Sequence, residues 1–171
     1  EMVGNLTLGR RGCDDAQESI REALAELEEI RTILLKAIDE DSESFNGFMA
    51  ALKMPKNTEE EKVLRKTAMS QALKTASLVP LKVAGQSVRI FKFSRLMLER
   101  GNKNAATDAM VSALAARTAA IGALLNVRIN LRLIHDPEFV RTTLEEVLRL
   151  ETLTNEQEKE ITEIGYQLLN Q

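Results

Sequence analysis

Residues 14–52, DDAQESIREALAELEEIRTILLKAIDEDSESFNGFMAAL, contain no proline and a single glycine, Gly47. Asp14 and Asp15, behind Gly12, are side chains that cap a helix by accepting hydrogen bonds from first-turn amides. Apolar residues then recur at Ile20, Leu24, Leu27, Leu34, Ile38, Phe45, Phe48 and Leu52. Steps of three, four or seven place them on one face of a helix. Unbroken from Ile20 to Leu52, that helix would extend about 50 Å at 1.5 Å per residue. Arg31 and Asp41 share the register of this stripe, and a charge on a packing face must reach water or meet a partner. Asp41 is therefore either solvated or a carboxylate in a cleft, whereas Asp39, Glu40 and Glu43 point elsewhere and read as a solvated face.

The rest of the composition agrees with a helical chain. Only 4% of the 171 residues are aromatic and 44% are hydrophobic, with abundant Ala, Leu, Glu, Lys and Arg, a balance that disfavours a β-sandwich. The length suits one domain with a core of its own, and Cys13, the one cysteine, excludes a disulfide scaffold. A net charge of -3 argues against a domain that grips nucleic acid by bulk positive potential. Glu1-Met2-Val3-Gly4-Asn5-Leu6 has no cationic n-region or cleavage pattern, so no secretory signal is read and a cytoplasmic location is expected. It reads instead as one helical domain, 1–171, lacking an N-terminal segment.

Further along, Met54-Pro55-Lys56-Asn57 marks a turn, and Thr58 with Glu61 has capping-box spacing for a second helix. Pro80 predicts a kink or break near Val79. Helical spacing resumes through Val83, Val88, Phe91 and Leu98, and Gly101 is placed to end the helix in a left-handed cap. Ala105 to Leu125 is nearly all apolar and long enough for a membrane span. Alanine, however, contributes too little transfer free energy to offset Arg117 near its middle, so no membrane is expected and the segment reads as a buried central helix. Its small residues, Ala113, Ala116, Ala120, Ala123 and Gly122, suit close helix packing or self-association. Asp136-Pro137 starts another helix, and Thr154 with Gln157 repeats the capping-box spacing for a last helix or a continuation after a bend. The fold class is all-α: a multihelical bundle of long, partly kinked helices around a buried, Ala-rich central helix.

Chemistry is harder to find. No phosphate loop, paired cysteines, zinc-type histidine pair or glycine-flanked serine is present, so no metal site is read. His135, the one histidine, stands beside the Asp136 cap and reads as surface. Cys13 has no partner base. The informative run is Gly101-Asn102-Lys103-Asn104-Ala105-Ala106-Thr107-Asp108, which places amides, an ammonium and a carboxylate at the entrance of an apolar helix. Asn104 and Asp108 are four apart and share a face; the group could hold an acid or base, or form an elaborate cap. Asn126 and Asn130, also four apart, imply interhelical hydrogen bonds or amides lining a pocket.

Met2 to Thr7, Asp41 to Phe45, Met54-Pro55-Lys56, Val79-Pro80-Leu81, Gly101 to Asp108 and Asn126 to Leu131 occur together and in order. In this set the chain resembles the formiminotransferase-cyclodeaminase / methenyltetrahydrofolate cyclohydrolase family over nearly its whole length. The resemblance implies an all-helical homodimer acting on one-carbon adducts of tetrahydrofolate, with no cofactor beyond that substrate. The leading expectation is closure of formimidoyltetrahydrofolate to the 5,10-methenyl form with loss of ammonia; hydrolysis of the methenyl form is the alternative, and a non-catalytic helical dimer the rival. It makes Asp108 and Asp41 the acid/base candidates and Lys103 a donor to the leaving amine. Asn102, Asn104, Asn126, Asn130 and Asn5 become substrate-binding candidates, and unspecified basic residues meet the glutamate tail, which is polyglutamylated in some folates. Two departures stand out: the family's proline- and glycine-rich segment ahead of Met2 is not in this chain, and Cys13 stands where relatives often carry an aromatic residue.

Overall fold

A computed structural model describes residues 1–170. It contains a short helix α1 (Met2–Asn5) and four long ones, α2 (Gln17–Leu52), α3 (Glu59–Arg100), α4 (Ala106–Leu131) and α5 (Pro137–Leu169), with no strand among the described residues. Short connections make successive long helices run antiparallel. Helix α3 packs on α2, α4 and α5, and α4 also packs on α5.

The buried ridges explain the architecture. On α3 they step through Leu73, Ser77, Pro80, Ala84, Ser87, Phe91, Ser94 and Leu98, and on α4 through Ala106, Ala109, Ala113, Ala116, Ala120, Ala123 and Val127. Alternating steps of three and four are the pattern of nearly parallel helix axes in a bundle. Most of these side chains are small, so the helices approach closely. Where α5 crosses α4, Gly165 seats the Met110 side chain, whose sulfur would lie 2.4 Å from an added Cβ.

The stripe expected on α2 is corrected in its second half. Ile20 is buried and Leu24, Leu27 and Leu34 are partly covered, but Ile38 and Phe45 stand about 60% exposed. Apart from Ile20, the buried residues of α2 lie on the heptad Ala23, Ile30, Ala37, Ser44 and Ala51. A search for large apolar residues passes over them because three are alanines and one is a serine. The start of α2 differs too. Asp14 to Ala16 form a 3₁₀ turn, no side chain caps α2, and Gln17 instead ties the preceding loop by donating to the carbonyls of Cys13 (2.8 Å) and Thr7 (3.3 Å) and accepting from Gly9 N–H (2.8 Å).

Two expected caps are present. Thr58 and Glu61 form the reciprocal capping box of α3, and the Asp136 carboxylate accepts from Phe139 N–H at 3.1 Å with Pro137 at the first helical position. Three other expectations are corrected. Helix α3 runs through Pro80 without a break. Proline lacks the N–H that would bond the carbonyl four residues earlier, and that carbonyl, on Ala76, accepts instead from Asn130 Nδ2 at 2.9 Å. Thr154 is interior to α5, where its hydroxyl donates to Leu150 C=O at 2.7 Å, so no new helix starts there. Gly101 has φ -84° and ψ -175°, which is extended rather than left-handed. What requires glycine there is space, since a Cβ would sit 2.4 Å from the Met97 carbonyl oxygen.

Helix α4 is central but not wholly buried. One face packs on α3 and α5, and the other exposes Val111, Leu114, Ala115, Ala119, Gly122, Leu125 and Ile129. By length and mean hydropathy, 1.5 over the best window, Lys103–Leu131 would suffice to cross a bilayer. In the bundle its Arg117 reaches across to Glu158 and Asn155 on α5.

Candidate functional site

The turn between α3 and α4 is fastened to the N-terminal loop by a chain of buried hydrogen bonds. Thr7, fully buried, donates its hydroxyl to Val3 C=O at 2.7 Å and accepts from Asn102 N–H at 3.0 Å. The Asn102 side chain in turn accepts from Asn104 N–H at 3.1 Å. Asn102 is therefore a buried capping residue. Lys103 donates Nζ to the carbonyls of Leu98 (2.7 Å) and Glu99 (2.9 Å), satisfying acceptors that the end of α3 leaves open. Its ammonium is thus turned toward the α3 terminus.

One turn into α4, Asp108 is exposed and its carboxylate makes no hydrogen bond or ion pair among the described residues. It lines a cavity of about 250 Å³ with Glu1, Met2, Val3, Leu27, Phe93, Met97 and Ser112. A carboxylate without an intramolecular partner at the rim of a largely apolar hollow is free to accept hydrogen bonds from a ligand held there. Asn104 and Asn5 are exposed at the same end of the bundle, so the structure brings Asp108, Asn104, Asn5, Asn102 and Lys103 into one neighbourhood.

It does not bring the other candidates there. Asp41 is exposed on α2, about 21 Å along the helix from the level of Leu27. Asn126, exposed, and Asn130, half-buried, lie about 27 and 33 Å from Asp108 along α4. The Asn130 amide is engaged with the Ala76 carbonyl, the interhelical option of the two left open by its spacing. Arg31, the other charge in the α2 stripe, pairs with Glu28 and lies 3.7 Å from Glu1.

One large groove was not anticipated from the sequence. It measures about 780 Å³ and is lined by Lys56, Lys62, Arg65, Lys66, Lys74 and His135 over a floor that includes Met69, Leu73 and Leu133. Lys62 pairs with Glu59, Lys74 pairs with Asp136, and Arg65 donates to Leu52 C=O. Lys56 and Lys66 make no ion pair among the described residues. Helical spacing of Lys62, Lys66 and Ser70 was visible, but the contribution of Leu133 and His135 depends on how α4 ends beside α3. Next to the groove, Asp136 is held below the usual carboxylate range, first by the Lys74 ammonium and then by Phe139 N–H.

The chain matches the formiminotransferase-cyclodeaminase family over residues 1–149. It is 34% identical over 146 residues to a methenyltetrahydrofolate cyclohydrolase of Methylorubrum extorquens, covering 85% of this chain and 70% of that one. It is also 34% identical over 149 residues to the formimidoyltransferase-cyclodeaminase of Gallus gallus, covering 87% of this chain but only 28% of that longer protein. The fold superposes on a formiminotetrahydrofolate cyclodeaminase from Thermotoga maritima with a TM-score of 0.86 at 27% identity, over 98% of this chain and 80% of the other. A match that runs through α4 and into the first half of α5, with the same helical architecture, shows that the chain belongs to the formiminotransferase-cyclodeaminase family.

Proposed function

We propose that this protein is a folate one-carbon enzyme, a formimidoyltetrahydrofolate cyclodeaminase that forms 5,10-methenyltetrahydrofolate and releases ammonia. The observation that carries the reading is the unpaired Asp108 carboxylate at the rim of an apolar cavity, within a chain whose relatives are named for this chemistry. In the reaction N10 adds to the formimidoyl carbon, and the N10 proton must leave while the departing nitrogen gains one. A single carboxylate can take the first proton and return it to the leaving amine. Hydrolysis of the methenyl form is the second reading, favoured by the likeness to the Methylorubrum enzyme, of which this chain covers 70%. Water then attacks the same carbon, and Asp108 serves as its base.

On this reading the substrate is a tetrahydrofolate derivative, polyglutamylated or not, and the protein works in the cytoplasm as a homodimer. It uses no metal or further cofactor and needs no membrane or nucleic acid. Lys103 and Asn102 support the site by holding the turn that carries Asp108. Asn5 and Asn104 are the nearer candidates for binding the pterin, and Asp41 and Asn126 enter only if a second subunit brings them in. The test is to incubate the protein separately with formimidoyltetrahydrofolate and methenyltetrahydrofolate, following methenyl absorbance and ammonia. Methenyl product with ammonia supports the first reading, and accelerated loss of added methenyl compound supports the second. Asp108→Asn should lower turnover by about 10²- to 10⁴-fold, the usual contribution of a positioned acid or base, with an unchanged unfolding midpoint. Silence in both assays would leave a non-catalytic helical module.

A further inference from the structure

Two of the three buried serines of α3 close back on their own helix. Ser77 donates to Leu73 C=O and Ser87 to Val83 C=O, each at 2.9 Å, the usual habit of a serine inside a helix. Ser94, on the same ridge and 3% exposed, does otherwise: its hydroxyl donates across to Ser112 Oγ on α4 at 3.2 Å. A bond between two hydroxyls uses one of their two hydrogens and leaves the other to be given elsewhere. Among the described residues the Ser112 hydroxyl donates to nothing. Both serines line the cavity that Asp108 borders, and among the described residues the rest of its wall is apolar except for Glu1, which lies 3.7 Å from Arg31.

Ser112 follows Asp108 by four residues, so the two side chains stand one above the other with Cβ atoms about 5–6 Å apart. That gap suits one water molecule bonded to both sides at about 2.8 Å, and a bound water needs at least two polar partners in a site with room for it. An ionised Asp108 only accepts, whereas the spare hydroxyl hydrogen is a donor. A water between them gives one hydrogen to Asp108 and takes one from Ser112, which leaves a lone pair to face the hollow.

We propose that the Ser94–Ser112 pair holds the water that attacks the methenyl carbon, so that Ser112 sets how much hydrolysis accompanies cyclodeamination. This rests on the folate reading of the Asp108 site and names the residue on which its hydrolytic branch depends. The water oxygen bonds to the methenyl carbon while one water proton passes to Asp108, and the cationic methenyl group becomes a neutral carbinolamine. The carbinol O–H then loses its proton to solvent as the C=O bond forms. The bond from that carbon to N5 breaks, and N5 takes the proton back from Asp108. One water is consumed and one proton released, giving 10-formyltetrahydrofolate. Closure of the formimidoyl compound adds N10 to the same carbon and needs no bound water. Ser94, which reaches the water only through Ser112, is a positioning residue.

The test compares wild type, Ser112→Ala, Ser112→Thr and Ser94→Ala, each assayed for methenyl hydrolysis above the spontaneous rate and for ammonia release from formimidoyltetrahydrofolate. Ser112→Ala should lower kcat for hydrolysis about tenfold more than it lowers ammonia release, the worth of one well-placed hydrogen bond, without a matching rise in KM. Ser112→Thr keeps the hydroxyl and should recover most of the lost hydrolysis. Ser94→Ala should shift the ratio of the two activities in the same direction by about threefold, since it frees the Ser112 hydroxyl to turn. Urea midpoints of the four proteins separate a loss of fold from a loss of chemistry. Equal losses of both activities in Ser112→Ala, or hydrolysis at the wild-type rate, overturns the role of Ser112 and leaves the folate reading standing. A wild type that releases ammonia but does not hydrolyse the methenyl compound overturns it in the same way. A wild type inactive on both folates sinks the folate reading and this inference with it.

Discussion

Replacing Asn130 by alanine should destabilise the bundle through a neighbouring helix. Its amide donates to the Ala76 carbonyl at 2.9 Å, the acceptor that Pro80 strands four residues later. Loss of a hydrogen bond that leaves a partly buried acceptor unpaired costs about 1–3 kcal/mol, and about 1.5 suits a half-buried site. Alanine recovers roughly 0.5 kcal/mol in helix propensity, so the net loss should be near 1 kcal/mol, or about 2–4 °C in Tm for a chain of this length. In a Pro80→Ala background residue 80 regains an N–H that can bond Ala76 itself, and Asn130→Ala should then cost nothing or stabilise slightly. The coupling, about 1.5 kcal/mol, lies well above the roughly 0.5 kcal/mol scatter of independent sites. Urea unfolding of the four proteins, followed by far-ultraviolet circular dichroism, measures it. Equal losses in both backgrounds would refute the role given to Asn130. Lost turnover with unchanged stability would return Asn130 to the substrate.

Acid should loosen the clamps that α3 makes with its neighbours. Asp136, held below its ordinary value by Lys74, and Glu26, held down first by Lys92 and then by Arg89, contribute stability that is complete above the unfolded carboxylate values and is lost as pH falls through the lower folded ones. Urea midpoints should be flat near neutrality and fall below about pH 4, and Lys74→Met should flatten that fall; an unchanged acid limb would show the Asp136 clamp to be inert. Gly165→Ala should destabilise by about 1–2 kcal/mol despite the gain in helix propensity, because the new Cβ meets Met110 at 2.4 Å. Met110→Ala in the same chain should relieve it, and a Gly165→Ala protein as stable as wild type would refute the tight seating of Met110 on Gly165.

Much of the local structure was legible because its causes are local. The Thr58–Glu61 box and the Asp136–Pro137 start need only neighbours in sequence, and both form as read. Of the kink or break expected at Pro80, the break is absent for a non-local reason, since the residue that meets the stranded carbonyl is 54 positions away. The Thr154–Gln157 spacing failed because α5 continues through it, and a threonine inside a helix bonds the carbonyl four residues back. The α2 seam was half right because size was used as the signal of burial, whereas close-packed helices bury alanine and serine.

The sequence by itself determined that the chain is helical, where most helices begin, which family it resembles, and that its polar chemistry gathers at Gly101–Asp108. Periodicity, capping and motif order are properties of consecutive residues. Only the tertiary structure decided that Asn102 and Lys103 hold a turn, that Asn130 serves Pro80, and that Asp108 is left unpaired over a cavity. It also separated Asp41 and Asn126 from that carboxylate and laid one face of α4 bare. These are distances between segments, fixed by which small residues let helices touch, and no spacing along the chain encodes them.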